Sequence, residues 1–325
     1  MTQLLLGVLL WQTPDLASAD RLYESGRFDD AITQYRALLM TRPSDPLLLL
    51  RTGACEYQRG QFAEAEKHFR KALMLAPDLP PAMVGLGTTL ITLGRAGEAI
   101  PLLESAAKST PNDRMARRAL GHAYQEEEKF VEGEGVLTKL VTEDPRDSEA
   151  WYYLGLLFFN RNYAQPALEA FDKLLAIEPN HVRARLYRAG TLSLLGRIAE
   201  AKSHFALLEG TPELARDAEF FLGYTQALFH AGDYEAALKK ASAGADASPD
   251  SAKLRYWKAR LLLETGKPEA AETEARRATQ LAPNLANPHH LLLRIYQRLG
   301  HDAQAAEQAA WLRAHSDTKA RGTGR

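Results

Sequence analysis

Apolar residues return along this chain with helical spacing, and the runs they form are cut at one interval. Prolines stand at 43, 77, 111, 145 and 179, each 34 residues after the last, and the step resumes at Pro249 and Pro283. Proline lacks the amide hydrogen that a helix interior needs and clashes with the preceding turn. A proline at a fixed period therefore marks the end of a repeated helical unit. Seventeen residues before each proline lies a turn position: Gly26, Gly60, Gly94, Glu128, Asn162, Gly232 and Gly266. Gly and Asn tolerate the left-handed backbone that closes a helix, which predicts a break there. Twelve residues before the proline comes a small residue, Ala31, Ala65, Ala99, Gly133, Ala167, Ala237 or Ala271. Eight before it, in the first five units, comes a bulky one: Tyr35, Phe69, Leu103, Leu137 or Phe171. The pattern predicts helix, short turn, helix. Small residues let the helices approach, and a large one fills the gap beside them.

The unit is clearest where Trp151-Tyr152-Tyr153-Leu154-Gly155 is followed by Phe158, Ala167, Phe171 and Pro179. Another copy carries Gly53, Gly60, Phe62, Ala65, Phe69, Ala72 and Pro77. These positions resemble the tetratricopeptide repeat. Nine units begin at Gln12, Pro46, Pro80, Arg114, Ser148, Val182, Ala218, Ala252 and Ala286, and only the sixth departs from the 34-residue step, taking 36. They run as a single array from 12 to 319, so no second, catalytic domain is expected within these residues. The resemblance implies an all-α fold: a right-handed superhelical α-solenoid of about nine helix-turn-helix repeats, with first helices along a concave groove and second helices behind. One hairpin cannot stand alone, since ordering 34 residues costs about 50 kcal/mol and must be offset by burial against neighbours.

Three places break the pattern. At Leu207–Pro212, Gly210 reads as a helix terminator, Thr211 as an N-cap and Pro212 as the first residue of the next helix. The first helix of the seventh unit is thus expected to start early and run a turn longer; a tolerated insertion and a hinge are the two readings of the junction. Residues 320–325 are expected to be a disordered tail. Near the start, Leu4–Trp11 is an apolar run too short to span a bilayer, followed by the cleavage-like triplet Ala17-Ser18-Ala19. Residues 1–19 are either an export signal or an apolar extension over the first repeat, and an exported location, periplasmic or secreted, is preferred to a cytoplasmic one.

Composition removes several classes. The 40 Lys+Arg nearly balance 41 Asp+Glu, and 46% of residues are hydrophobic, unlike a general nucleic-acid binder or a disordered chain. The balance is uneven along the chain: 19 basic against 25 acidic residues in 1–181, and 21 against 16 in 182–325. A lone Cys55 excludes an intramolecular disulfide and a cysteine-based zinc site, and reads as a buried, inert thiol. No His-Glu-x-x-His, Gly-x-Ser-x-Gly or phosphate-loop motif occurs, and Gly85-Leu86-Gly87 is read as helix packing rather than a dinucleotide fingerprint. The adjacent His289 and His290 point apart on a helix and make a poor metal pair. No catalytic residue, cofactor, metal or membrane span is expected.

The resemblance also implies which positions of a first helix face a ligand: 2, 5, 9, 12 and 13. Tyr57, Tyr152, Phe159, Phe229 and Tyr256 fall there as candidate peptide anchors, and packing is the preferred role for Phe159 and Phe229. A basic lane follows at Lys253, Arg260, His290, Arg294 and Arg298, suited to a carboxylate or an acidic peptide. Arg118, His122 and Arg183 form a smaller central set. Glu264 shares the lane's surface, so a solvated face competes with a binding role. The carboxylate clamp of chaperone-binding family members needs Lys and Asn; the matching positions hold Arg118, His122, Tyr153, Arg183 and Tyr187, which makes chaperone-tail binding doubtful. The expected function is a non-enzymatic protein- or peptide-binding scaffold. The alternatives are single-stranded nucleic-acid binding, disfavoured by the acidic first half, and an accessory subunit of an enzyme or envelope-assembly complex.

Overall fold

Pro46 and Pro80 open helices rather than close them, because the first turn of a helix needs no amide hydrogen from its leading residue. Asp45 completes one such start: its Oδ1 accepts the amides of Leu47 and Leu48 at 3.0 and 3.2 Å. Asp113, His181, Asp217 and Ser251 cap later helices in the same way. A computed structural model describes residues 15–321, with side chains as far as His315. The first helices are α1 (Leu16–Glu24), α3 (Pro46–Gln58), α5 (Pro80–Thr92), α7 (Arg114–Glu126), α9 (Ser148–Asn160), α11 (Val182–Leu194), α13 (Ala218–His230), α15 (Ala252–Glu264) and α17 (Ala286–Leu299). They alternate with α2 (Phe28–Thr41), α4 (Phe62–Leu75), α6 (Ala96–Ser109), α8 (Phe130–Glu143), α10 (Ala164–Ile177), α12 (Ile198–Leu207), α14 (Tyr234–Ala247), α16 (Pro268–Leu281) and α18 (Asp302–Arg321). No strand occurs among the described residues.

Second helices with a preceding left-handed turn need no capping side chain. At the α3–α4 turn, Gly60 sits at φ +72° and the Gln61 amide reaches back to the Glu56 carbonyl at 2.8 Å. That bond ties off the end of α3 while α4 begins at Phe62. Glu128 and Asn162 hold the same backbone at φ 54° and 59° without being glycine.

The chain divides into two compact units, Met1–Leu157 and Phe158–Arg325. In unit 1, α1 to α8 each pack on the next, and α3 also touches α5, as α5 touches α7. Ala65 and Ala99 are fully buried at the small-residue positions. Phe69 drives through from α4 so closely that a Cβ on Gly85 would lie 2.6 Å from its ring, and a Cβ on Gly87 would lie 2.7 Å from Leu103. Gly85 and Gly87 thus serve close helix packing. Cys55 is buried with its thiol pushed up to about 12, first by burial and then by Glu56 and Asp20, which leaves it unreactive. Glu56 is a buried carboxylate: burial pushes it up, but Nδ1 of His68 at 2.6 Å and Nη2 of Arg36 at 2.8 Å hold it below its ordinary range.

In unit 2, Phe205 takes the wedge's place beside Gly223, stacked on Tyr224 at 5.7 Å. The irregular junction lies here and differs from expectation. Helix α12 stops after 10 residues, and Pro212–Leu214 forms a separate 3-10 turn rather than the start of α13. Thr211 makes no side-chain cap. Asp217 does, accepting the Phe220 amide at 2.8 Å, so α13 begins at Ala218 and is 13 residues long like its neighbours. Leu208 and Leu214 are both buried and fill the core that the missing turn of α12 vacates.

At the start, Ala19 on α1 is fully buried against Ala31 and Tyr35, so five residues of the 1–19 segment belong to or adjoin packed structure. Residues 1–14, which carry the apolar run, lie outside the described residues. At the other end α18 continues through Arg321, so the tail expected from 320 is helical for two residues; 322–325 lie outside the described residues. No described helix is long and apolar enough to cross a membrane.

Candidate functional site

In unit 1 the exposed edges of α3, α5 and α7 meet in a cleft of about 370 Å³. Leu50, Ala54, Tyr57 and Gln58 come from α3, Pro81, Val84 and Thr88 from α5, and Met115 from α7. Every one of them sits at position 2, 5, 9, 12 or 13 of its helix. Tyr23 closes one side, Gly85 and Phe69 form the floor, and Asp113 stands at the far end with its carboxylate engaged in capping α7. Glycine at 85 is what brings the Phe69 ring to the floor, since any side chain there would collide with it. Tyr57 is held edge-on to Phe62 at 5.3 Å, with its hydroxyl 3.2 Å from that of Thr92. A wall of fixed aromatic and aliphatic carbon with few competing polar groups suits an apolar segment.

Beyond the cleft, unit 1 becomes polar. Arg118 pairs with Glu149 and lies 3.5 Å from Asp147, so its charge is already answered. His122 stacks on Tyr153 with ring centres 4.2 Å apart, and burial lowers the imidazole to about 4, so it is neutral near pH 7. Tyr153 is raised to about 12, first by burial and then by Glu149. Tyr152 lies edge-on to Tyr153 at 5.5 Å.

Unit 2 presents a different face. Arg183 is bound to Asp217 at 2.5 Å, Arg294 to Glu264 at 3.5 Å, and Arg298 donates to the Leu263 carbonyl at 3.3 Å. Phe159 packs edge-on to Tyr187 at 5.5 Å and against Gly190, while Phe229 packs on Trp257 at 5.3 Å. His289 is buried, stacked on Trp311 at 3.6 Å and bonded to Gln308; exposed His290 points elsewhere. Tyr256 and Arg260 line a second cleft, of about 400 Å³, together with Lys253. Of the central and basic residues expected to face a ligand, the structure thus ties Arg118, Arg183 and Arg294 to carboxylates and leaves Lys253 and Arg260 without one. No group of described His, Cys, Asp or Glu side chains is placed to hold a metal ion.

The aliphatic wall Leu50, Ala54, Val84 and Met115 carries no aromatic or charged mark in the sequence. Its signal was present, because the same helix positions that mark Tyr57 mark these residues too.

Two family models, both of the tetratricopeptide repeat, match the chain, one over residues 16–80, 118–178 and 191–252 and the other over 56–123 and 228–295. The chain belongs to the tetratricopeptide-repeat family. A tetratricopeptide repeat protein from Parabacteroides merdae superposes with a TM-score of 0.60 at 22% identity, over 78% of this chain and 98% of that one. PilW, a type IV pilus biogenesis factor, gives 0.57 at 19% identity over 62% of this chain and 92% of its own. In sequence, the human DnaJ homolog subfamily C member 3 is 25% identical over 193 residues, which are 55% of this chain but only 38% of that protein.

Proposed function

We propose that the chain is a non-enzymatic scaffold or adaptor whose unit 1 cleft holds an apolar segment of another protein. One observation carries this reading: eight side chains from ligand-facing positions of α3, α5 and α7 close into one apolar cleft over a Phe69 floor. Stacked helices fix those walls before any ligand arrives, which lowers the ordering cost of binding. The similarity in fold to PilW, a pilus biogenesis factor, supports a role in assembly rather than in turnover. Against the nucleic-acid alternative, Arg118, Arg183 and Arg294 each have a carboxylate partner, which weakens any continuous basic track.

Selection of a displayed random-peptide library on the full chain tests the reading. Enriched peptides should carry two or more large apolar residues, and Ala54→Arg, which places a charge in the cleft, should weaken them by about tenfold or more. Enrichment of purely charged peptides, or equal affinity for Ala54→Arg, would remove the cleft from the function.

A further inference from the structure

We infer that the cleft between α10, α11 and α12 of unit 2 is a docking site for an acidic side chain of a partner protein, flanked in that partner by a large apolar residue. It lies away from the ligand-facing positions and does not depend on the unit 1 cleft. Two repeats of this chain hold the same pair of cations. In α15, positions 4 and 7 are Arg255 and Lys258, and Glu274 at position 7 of α16 answers both, at 2.8 and 2.6 Å. Burial pushes that carboxyl up, but hydrogen bonds from Lys258 and then Arg255 hold it below its ordinary range. In α11 the same positions are Arg185 and Arg188, and position 7 of α12 is His204. The backbone anchor is kept: Nε of Arg185 donates to the Pro179 carbonyl at 2.8 Å, as Nε of Arg255 donates to that of Pro249 at 3.3 Å. The carboxylate is missing.

Nothing in the sixth repeat replaces it in full. The His204 imidazole is lowered first by burial and then by Arg188, so it meets Nη1 of Arg188 at 2.9 Å with a lone pair rather than a charge. Asp172 on α10, half exposed, accepts from Nε of Arg188 at 2.6 Å. Arg185 is bonded to the Pro179 carbonyl and, at 3.0 Å, to the side-chain oxygen of Asn180, and no ion pair reaches it among the described residues. Two guanidinium groups thus share one carboxylate, and the backbone bond of Arg185 orients its fork for a second. The early end of α12, 10 residues against 14 in α10 and α16, leaves a cleft of about 480 Å³ beside them. Leu175 and Leu207 form its apolar side. Leu207 is 78% exposed, at a position where α4, α8, α10 and α16 carry Lys71, Lys139, Lys173 and Arg277. An exposed leucine beside an unanswered arginine asks for hydrocarbon next to an acid, which a Glu or Asp beside a large apolar residue supplies. A nucleic-acid backbone supplies the charge alone.

The test is a set of short peptides with Glu and Leu side by side or one helical turn apart in a Gly-Ser stem, with matched members carrying Gln for Glu or Ser for Leu. Blocked ends leave the Glu side chain as their only carboxylate. Binding is measured by fluorescence anisotropy on the full Ala54→Arg chain, whose unit 1 cleft is closed to them, so failure here and failure of that cleft are read separately. The Glu-Leu peptides are expected to bind, and Gln in place of Glu to weaken them by about tenfold. Arg185→Gln should cost as much and add nothing to the loss seen with the Gln peptide. Leu207→Ser should cost about threefold. His204→Glu installs the carboxylate that Glu274 supplies in the eighth repeat. It should weaken binding by about tenfold or more while holding or raising the melting temperature, which separates occupancy of the site from unfolding. Arg277→Gln, at an exposed arginine elsewhere in unit 2, should change little. Gln peptides that bind as well as Glu peptides, a His204→Glu chain that binds as its parent does, or no binding by any member overturns the site. Equal losses in Arg185→Gln and Arg277→Gln, with a steep salt dependence, would overturn it in favour of a diffuse basic surface such as a nucleic acid would use.

Discussion

The ninth residue of each first helix is Ala54, Thr88 and His122 in α3, α5 and α7, and Gln226, Arg260 and Arg294 in α13, α15 and α17. The helix-contact positions behind them scarcely differ: Ala65 and Ala99 in one unit, Ala237 and Ala271 in the other, all fully buried. The comparison separates two kinds of constraint. Positions between helices are confined by volume, because a methyl group too many forces backbones apart. Positions on the open face meet side chains rather than a neighbouring backbone and are less confined by volume, so the same scaffold carries an apolar cleft in one unit and a cationic one in the other. Function is written where the fold makes no demand.

The sharpest way to break that comparison is through the wedge. Phe69 and Phe205 are both buried, and both press on a glycine of the following first helix, Gly85 or Gly223. If the two units share one packing solution, Phe69→Ala and Phe205→Ala should each cost about 3–5 kcal/mol in denaturant unfolding. With Trp11 replaced by Phe throughout, Trp151 reports unit 1 in a Trp257→Phe/Trp311→Phe background, and Trp257 with Trp311 reports unit 2 in a Trp151→Phe background. Phe69 also floors the unit 1 cleft, so its loss should abolish apolar-peptide binding, which Phe205→Ala should leave intact. A loss below about 1 kcal/mol at either phenylalanine would show that its glycine pocket collapses freely, and the shared solution would fail.

A smaller effect distinguishes the units by pH. Burial holds His122 at about 4, against 6.5 for a free imidazole. Between those values the unfolded chain binds a proton that the folded chain refuses. Stability is therefore fully present above pH 6.5 and falls as pH drops toward 4, by about 3 kcal/mol. Glu126, 3.6 Å away, favours the proton but does not outweigh burial. His122→Phe should keep the contact with Tyr153 and flatten the acid side of the melting curve followed at Trp151. In unit 2, His204 is lowered first by burial and then by Arg188, so His204→Asn should flatten the curve followed at Trp257 and leave that at Trp151 alone. An unchanged slope in His122→Phe would mean that the imidazole protonates freely in the folded state.

Legibility followed the same division. Turn residues such as Gly60 and Asn162 announced their backbone because a left-handed φ admits few side chains, and the small-residue positions announced a close approach. Pairings across repeats were hidden. Arg118 finds Glu149 and Arg183 finds Asp217 one repeat later, a reach set by side-chain length and helix spacing rather than by local pattern. The junction misled for a related reason. Thr211-Pro212 is a sound helix start in isolation, but Asp217 offers a better cap and Leu214 must reach the core, so a 3-10 turn intervenes. Arg260 lay between these cases: its place on the open face was legible from its position, whereas its contacts with the Phe229 and Trp257 rings came only with the packing.

The finest test concerns two turns that break the glycine habit. Glu128 and Asn162 both sit at positive φ, where a Cβ crowds the backbone. Asn tolerates that region because its short polar side chain bonds locally, and Glu has no such recourse. Glu128→Gly should therefore stabilise unit 1 by about 0.5–1 kcal/mol, after the extra entropy of glycine in the unfolded chain is deducted, and Asn162→Gly by a few tenths at most. Charge complicates the first, since Glu128 ends an acidic run at the C-terminal end of α7, where the helix dipole disfavours anions. Glu128→Gln removes the charge and keeps the Cβ. If it captures less than half of the gain measured for Glu128→Gly, backbone strain is the cause; if it captures all of it, the turn is unstrained and only the dipole was being relieved.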